Sequence, residues 1–122
     1  MYIAHTITFA ASMLVGALVA ECGSARAAEL VMFEEPGCSW CRRWHVEIGP
    51  VYPLTAEGKA APLRRAHIRD QAVAGVRLER PVTVTPTFVL VDEGREVGRI
   101  IGYAGEDFFY GLLAGLLKAK AR

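Results

Sequence analysis

Four short apolar runs predict a small sheet. Runs rich in β-branched and aromatic residues, bounded by turn residues, are typical of strands. The turn Asp92–Arg95 makes the last two runs a hairpin. The predicted strands are Glu29–Phe33, Leu63–Ile68, Thr87–Val91 and Glu96–Ile101.

Three segments between and after these runs predict helices. The first begins at Cys38, after the break at Pro36–Gly37, and ends near Gly49. The second covers Gln71–Val76, with Asp70 as its N-cap. The third begins at Glu106 and repeats apolar residues three and four positions apart, with acidic residues at its start and basic residues at its end.

The predicted order of elements is therefore βαβαββα. A helical crossover joins the first two strands, so these strands should be parallel, whereas the hairpin is antiparallel. The prediction is an α/β fold, with a mixed four-stranded sheet flanked by helices.

The N-terminal segment is set apart from this pattern. The apolar run Ile7–Ala20 is shorter than the roughly 20 residues that span a bilayer. It is followed by Ala25-Arg26-Ala27, a small-residue cleavage signature. These features predict a signal peptide over residues 1–27 and a mature domain over residues 28–122, although no Lys or Arg precedes the run. An uncleaved membrane anchor and a buried helix of the domain are the alternatives.

Composition narrows the class of protein. A chain of 122 residues is enough for one small domain, and its net charge of +1 argues against nucleic acid as a partner. Cleavage would remove Cys22 and leave Cys38 and Cys41 as the two cysteines of the mature chain. Export predicts an oxidising periplasmic location, where disulfides persist.

Cys38-Ser39-Trp40-Cys41 is the main chemical motif of the sequence. A cysteine at a helix N-terminus favours its thiolate, which is the form that exchanges disulfides. Two intervening residues let the second thiol reach the first across one turn. The motif therefore indicates a redox pair, with a disulfide that closes a short loop for stability alone as the plainer interpretation.

Metal and haem chemistry are the other interpretations of the cysteine pair. Haem attachment is excluded because Arg42, not histidine, follows Cys41. Zinc normally needs four ligands, and no second close pair accompanies Cys38, Cys41, His45 and His67. A periplasmic copper-binding or carrier module that uses the cysteine pair and His45 remains as the alternative function. We expect His67 to be a strand residue without a role, and Arg64, Arg65 and Arg69 to form a solvated edge.

The cysteine pair at a strand-to-helix turn, with Val84-Thr85-Pro86-Thr87 before the third strand, resembles the thioredoxin superfamily. That resemblance implies a minimal thioredoxin fold and a cis-proline at Pro86 opposite the cysteines. It also implies a thiol-disulfide oxidoreductase without a cofactor. The motif EEPGCSWC differs from the usual WCGPC, so the redox poise of thioredoxin cannot be transferred.

Two longer stretches, beginning at Trp44 and at Pro81, resemble the small periplasmic SoxS-type thioredoxins of bacterial sulfur-oxidation systems. This resemblance implies a sulfur-carrier protein as a partner. If the protein acts as a reductant outside the cytoplasm, it needs a membrane thiol carrier as electron donor. Within this resemblance, Cys38 is expected to attack the partner and Cys41 to resolve the mixed disulfide. Thr85, Pro86 and Trp40 are expected to bind the substrate chain, and Trp44 to lie in the core.

Overall fold

The computed structural model describes residues 28–121. The predicted signal peptide therefore lies outside the described residues. The strands are β1 (Glu29–Glu34), β2 (Leu63–His67), β3 (Thr87–Asp92) and β4 (Arg95–Ile101). The α-helices are α1 (Ser39–Glu47), α2 (Ala56–Ala60) and α3 (Glu106–Lys120), and 3-10 helices cover Tyr52–Leu54 and Ile68–Val73. None of the helices within the described range is long and apolar enough to cross a membrane.

The four strands form one mixed sheet in the order β2-β1-β3-β4. β1 pairs with β2 in parallel and with β3 in antiparallel, and β3 and β4 form the antiparallel hairpin. The predicted fold class, strand directions and hairpin are therefore confirmed. β1 and β3 are the central strands, and their apolar runs are buried because both faces of the sheet are covered.

Alternate residues of the two central strands enter two separate cores. Leu30, Met32, Phe88 and Leu90 face the helical side, where they pack with Trp44 of α1 and other apolar residues. Val31, Phe33, Val89 and Val91 face the opposite side, under the segment that contains the second 3-10 helix. This period of two follows from the pleat of a strand and sets which face of the sheet each helix covers.

Helix α2 was not predicted, because the sequence was interpreted as irregular after Pro50. Thr55 caps this helix by accepting a hydrogen bond from the Gly58 N–H at 2.9 Å. A Cβ atom at Gly58 would lie 1.8 Å from the Tyr52 carbonyl oxygen, so only glycine permits this close approach. The Tyr52 hydroxyl donates to the Ala61 carbonyl at 2.6 Å and ties the two ends of the segment together.

The helix predicted over Gln71–Val76 was placed too late and given the wrong cap. The structure has a 3-10 helix over Ile68–Val73, and its N-cap is His67, whose Nδ1 accepts the Arg69 N–H at 3.0 Å. The helix starts as soon as β2 ends, which leaves Asp70 inside its first turn rather than before it. His67 thus has a structural role that the sequence interpretation did not give it.

A buried ion pair fastens the segment before β3 to the hairpin. Glu96 and Arg99 pair at 2.7 Å, with side chains 1% and 6% exposed. Arg99 also donates to the Arg80 and Pro81 carbonyls, and Glu96 accepts the Glu79 N–H. Burial raises the pKa of Glu96, but these hydrogen bonds and charges outweigh it and hold the pKa below its usual range. The segment that leads to Pro86 is therefore held in place by a charged, desolvated anchor.

Candidate active site

A tight turn carries the chain from β1 into α1. The Cys38 N–H donates to the Glu35 carbonyl at 3.3 Å, which closes a four-residue turn with Pro36 and Gly37 at its centre. Gly37 has a φ of +82°, in the region where a side chain is strained. Proline in the second position and a positive-φ glycine in the third suit a type II turn. The turn places Cys38 at the N-cap of α1, as the sequence predicted.

Cys38 and Cys41 form a disulfide, with their Cα atoms 5.2 Å apart. The Cys38 sulfur also accepts the Cys41 N–H at 3.1 Å, so it occupies the place of a capping oxygen at the helix start. Cys38 is partly exposed, whereas Cys41 is only 2% exposed. The two sulfurs of the pair therefore differ in their access to a second molecule.

The segment before β3 lies beside the turn that carries the cysteines. The Thr85 hydroxyl donates to the Glu35 carboxylate at 3.0 Å, joining residues 50 positions apart in the chain. The Thr85–Pro86 peptide bond is cis, and Pro86 is buried. The Pro86 carbonyl accepts the Gly102 N–H at 2.8 Å, which ties the segment to the end of β4. The fold thus brings Thr85 and Pro86 to the same end of the sheet as the disulfide.

A cavity of about 570 Å³ opens beside the disulfide, between the turn, α1 and the end of β2. Its lining combines both cysteines with titratable and charged side chains. These polar lining residues are Glu34, Glu35, Arg42, His45, Arg65 and His67. The cavity gives the buried sulfur of Cys41 a polar neighbourhood on one side.

Glu34 links three elements at the wall of this cavity. Its carboxylate accepts from Arg65 at 2.6 and 3.0 Å and lies 3.0 Å from His45 Nε2. Burial raises the pKa of Glu34, but the hydrogen bonds from Arg65 and His45 and their charges outweigh it and hold the pKa below its usual range. The negative charge of Glu34, four positions before Cys38, is therefore compensated by Arg65.

The two tryptophans of α1 occupy different environments. Trp40 is 51% exposed beside the cysteines, and the Arg43 guanidinium lies 5.5 Å from the centre of its ring. Trp44 is fully buried and packs against Tyr52, Phe88 and Phe109. The core position of Trp44 is confirmed, and Trp40 lies on the surface around the cysteine pair.

The arginines of β2 form ion pairs with β1, whereas the sequence analysis expected them to form a solvated edge. Arg64 pairs with Glu29 at 2.8 Å, and Arg65 pairs with Glu34, so each joins β2 to its parallel neighbour β1. The sequence did contain a signal for this, because acidic residues flank the apolar run of β1 and two basic residues lie in a strand predicted to be parallel to it. No group of three or more side chains suited to a metal ion is assembled within residues 28–121.

Comparison with known proteins identifies the class to which this protein belongs. A family model described as a thioredoxin-like domain matches residues 19–116. The chain therefore belongs to the thioredoxin-like family, and its disulfide-bonded Cys38–Cys41 pair makes it a thiol-disulfide oxidoreductase acting on protein thiols and disulfides.

Among solved structures, the chain is similar to the reduced form of the periplasmic thioredoxin SoxS from Paracoccus pantotrophus. The identity is 55%, the match covers 75% of this chain and 96% of that chain, and the TM-score is 0.72. A thioredoxin from Malassezia sympodialis shares the fold at 18% identity, with 75% and 76% of the two chains covered and a TM-score of 0.53. A search of curated proteins gives no match.

Proposed function

We propose that the protein is an exported reductant that returns a sulfur-carrier protein to its thiol state. The observation that carries this proposal is the 55% identity to a periplasmic thioredoxin over 96% of that chain. The site geometry suits the proposal, because the cysteine pair lies at a helix start beside a surface that a partner can reach.

Cys38 is the nucleophile in this proposal, and Cys41 is the resolving thiol. The start of α1 favours a thiolate at Cys38, since unpaired N–H groups and the helix dipole stabilise negative charge there. In the disulfide form, the Cys41 N–H already donates to the Cys38 sulfur. The greater exposure of Cys38 supports its attack on a partner, and the burial of Cys41 supports an intramolecular role.

Thr85, Pro86 and Trp40 form the proposed binding surface for the partner chain. Within residues 28–121, the backbone of Thr85 makes no hydrogen bond, so its N–H and carbonyl remain for an added strand. Pro86 has no N–H to donate, and its carbonyl is taken by Gly102. The exposed ring of Trp40, which lies between the two cysteines in the sequence, adds apolar contact area.

Export and electron supply complete the proposal. Residues 1–27 serve as a signal peptide that directs residues 28–122 to the periplasm, in keeping with the apolar run and the cleavage signature. A reductant in an oxidising compartment needs electrons from elsewhere, and a membrane thiol carrier supplies them by disulfide exchange. Within residues 28–121 the copper-carrier alternative has no observation in its favour, because His45 Nε2 lies 3.0 Å from a Glu34 oxygen and no group of three or more side chains suited to a metal ion is assembled there.

One experiment in the native host tests export and redox direction together. Cells are quenched in acid, the periplasmic fraction is alkylated, and the intact mass of the protein is measured. We expect a chain that begins at Ala28 and carries two alkyl groups, because a working reductant is held largely as the dithiol. A sample treated with a thiol oxidant before quenching provides the control and should carry none.

Two results would contradict parts of the proposal. A chain that retains Cys22 and gains a third alkyl group would exclude cleavage after Ala27. A mature chain that gains no alkyl group, although the quench preserves a dithiol added as a standard, would exclude a reductant and leave an oxidant or a structural disulfide.

A further inference from the structure

The burial of Cys41 raises the question of where its proton goes. Cys41 is 2% exposed, and its core neighbours, including Met32 and Trp44, are apolar and aromatic side chains. A thiol must become a thiolate before it attacks a disulfide, and burial disfavours the charged form. A group that accepts the proton inside the protein would therefore speed the resolving step.

His45 shares both its helix and a cavity with Cys41. It follows Cys41 by four positions on α1, a spacing that sets two Cβ atoms about 5–6 Å apart on one helix face. Helical side chains lean toward the N-terminus, so the His45 ring leans toward the turn that holds Cys41. Both residues line the same cavity, whose volume of about 570 Å³ has room for water.

The contacts of the ring leave one nitrogen available. Nε2 lies 3.0 Å from a Glu34 oxygen, and Arg65 holds that carboxylate ionised, so Nε2 is the nitrogen that carries hydrogen. Nδ1 of the neutral ring is then a proton acceptor. Trp44 touches the ring edge-on, with ring centres 5.2 Å apart, and limits its rotation.

Of the other groups that face this cavity, the arginines do not offer the same chemistry, and Glu35 and His67 already accept hydrogen bonds. Arg42 and Arg65 are cations and cannot accept a proton. The Glu35 carboxylate lines the cavity and accepts the Thr85 hydroxyl hydrogen bond. His67 lies at the end of β2, and its Nδ1 already accepts the Arg69 N–H.

We propose that His45 takes the proton of the Cys41 thiol when Cys41 releases the partner. The inference rests on the proposed roles of Cys38 and Cys41. The proton moves from the Cys41 sulfur to Nδ1, directly or through one cavity water. The Cys41 thiolate then attacks the Cys38 sulfur, the Cys38–Cys41 bond forms, and the bond from Cys38 to the partner breaks.

The partner leaves as a thiolate and receives the proton from His45. The cysteine pair loses two electrons, and the partner gains them, so no further reactant is needed. In the reverse direction, protonated His45 returns the proton to Cys41 as the disulfide opens. The Glu34–Arg65 pair orients the ring throughout the cycle.

Stopped-flow reaction of the reduced protein with 5,5′-dithiobis(2-nitrobenzoate) separates the two steps. The first thionitrobenzoate is released by attack of Cys38, and the second by attack of Cys41 on the mixed disulfide. For His45→Gln at pH 6.5, we expect the second release to slow about 100-fold, the low end of general-base effects. The rate of the first release should stay within about twofold of the parent rate, because a base that acts on Cys41 does not take part in the attack by Cys38. The difference should shrink as the pH rises, because a thiol then ionises without the help of a base.

His67→Gln is the matched control, because it changes the other histidine of the same cavity and should leave the second release unchanged. If circular dichroism shows that His45→Gln does not fold, His45→Ala tests the same step, and added imidazole should restore part of the second release. The inference is overturned if His45→Gln keeps the parent pH profile, slows both releases alike, or slows the second equally at every pH. Failure of the parent to give the first release would instead contradict the proposed function.

Discussion

Cys41→Ser is expected to accumulate mixed disulfides with partner proteins in the native host, whereas Cys38→Ser is expected to accumulate almost none. Exchange passes through a disulfide between the attacking cysteine and the partner. Without Cys41, that bond is not resolved from inside the protein. Each variant keeps one thiol, but the thiol that remains differs in its access to a partner. It is the partly exposed Cys38 in Cys41→Ser and the buried Cys41 in Cys38→Ser.

Non-reducing gels of alkylated extracts, followed by mass spectrometry of the adducts, measure this asymmetry. Ser39→Ala is a suitable control, because it changes the same turn of α1 and keeps both cysteines. Equal trapping by the two cysteine variants, or trapping by neither, would contradict the assigned roles. Adducts without any sulfur-carrier protein would leave the oxidoreductase chemistry in place and remove the proposed partner.

Glu96→Ala is expected to lower the free energy of unfolding by about 3–5 kcal/mol, the usual cost of removing one partner from a buried ion pair. Arg99 would stay behind with a desolvated charge, since its side chain is 6% exposed. The Glu79 N–H would lose its acceptor as well, and the anchor of the Arg80 and Pro81 carbonyls would loosen.

Chemical denaturation of the oxidised protein at pH 7 measures this loss. Arg64→Ala is the matched control, because the Arg64–Glu29 pair also has a 2.8 Å contact but side chains 37% and 34% exposed. Removing an exposed pair of this kind costs about 0.2–1 kcal/mol. The double variant of Glu96 and Arg99 should be less destabilised than the sum of the single variants. A loss for Glu96→Ala no larger than that for Arg64→Ala would contradict a buried anchor.

Much of the fold could be predicted because the strong signals were local. The sheet could be predicted from the apolar runs of β1 and β3 and from the turn Asp92–Arg95. Each of these segments has a composition that favours its own conformation. Pro36–Gly37 before Cys38 marked the helix start that carries the site. Helix α2 was not predicted, because its formation depends on the Thr55 cap and on the close approach of Gly58 to the Tyr52 carbonyl. Such an approach of two backbone segments has no signature in a local pattern.

The site was predicted in part for the same reason. Cys38 and Cys41 were predicted because they belong to one motif. Pro86 was predicted from the resemblance of the sequence to a known family. The Glu35–Thr85 hydrogen bond joins residues 50 positions apart, and the Glu34–His45–Arg65 group draws on three elements. Those contacts depend on the register of β1 with β2 and on the rotation of α1, which hydrophobic spacing does not specify.

The reduction potential of the Cys38–Cys41 pair tests the central claim most directly. Equilibrium titration against a dithiol–disulfide buffer, read by alkylation and intact mass, gives the value for the purified protein. A redox-active pair is expected to titrate reversibly in one two-electron step, between about −270 and −120 mV, and a reductant should lie near the lower end. A potential below about −300 mV, or a bond that resists reduction in the folded protein, would identify a structural disulfide and contradict the account.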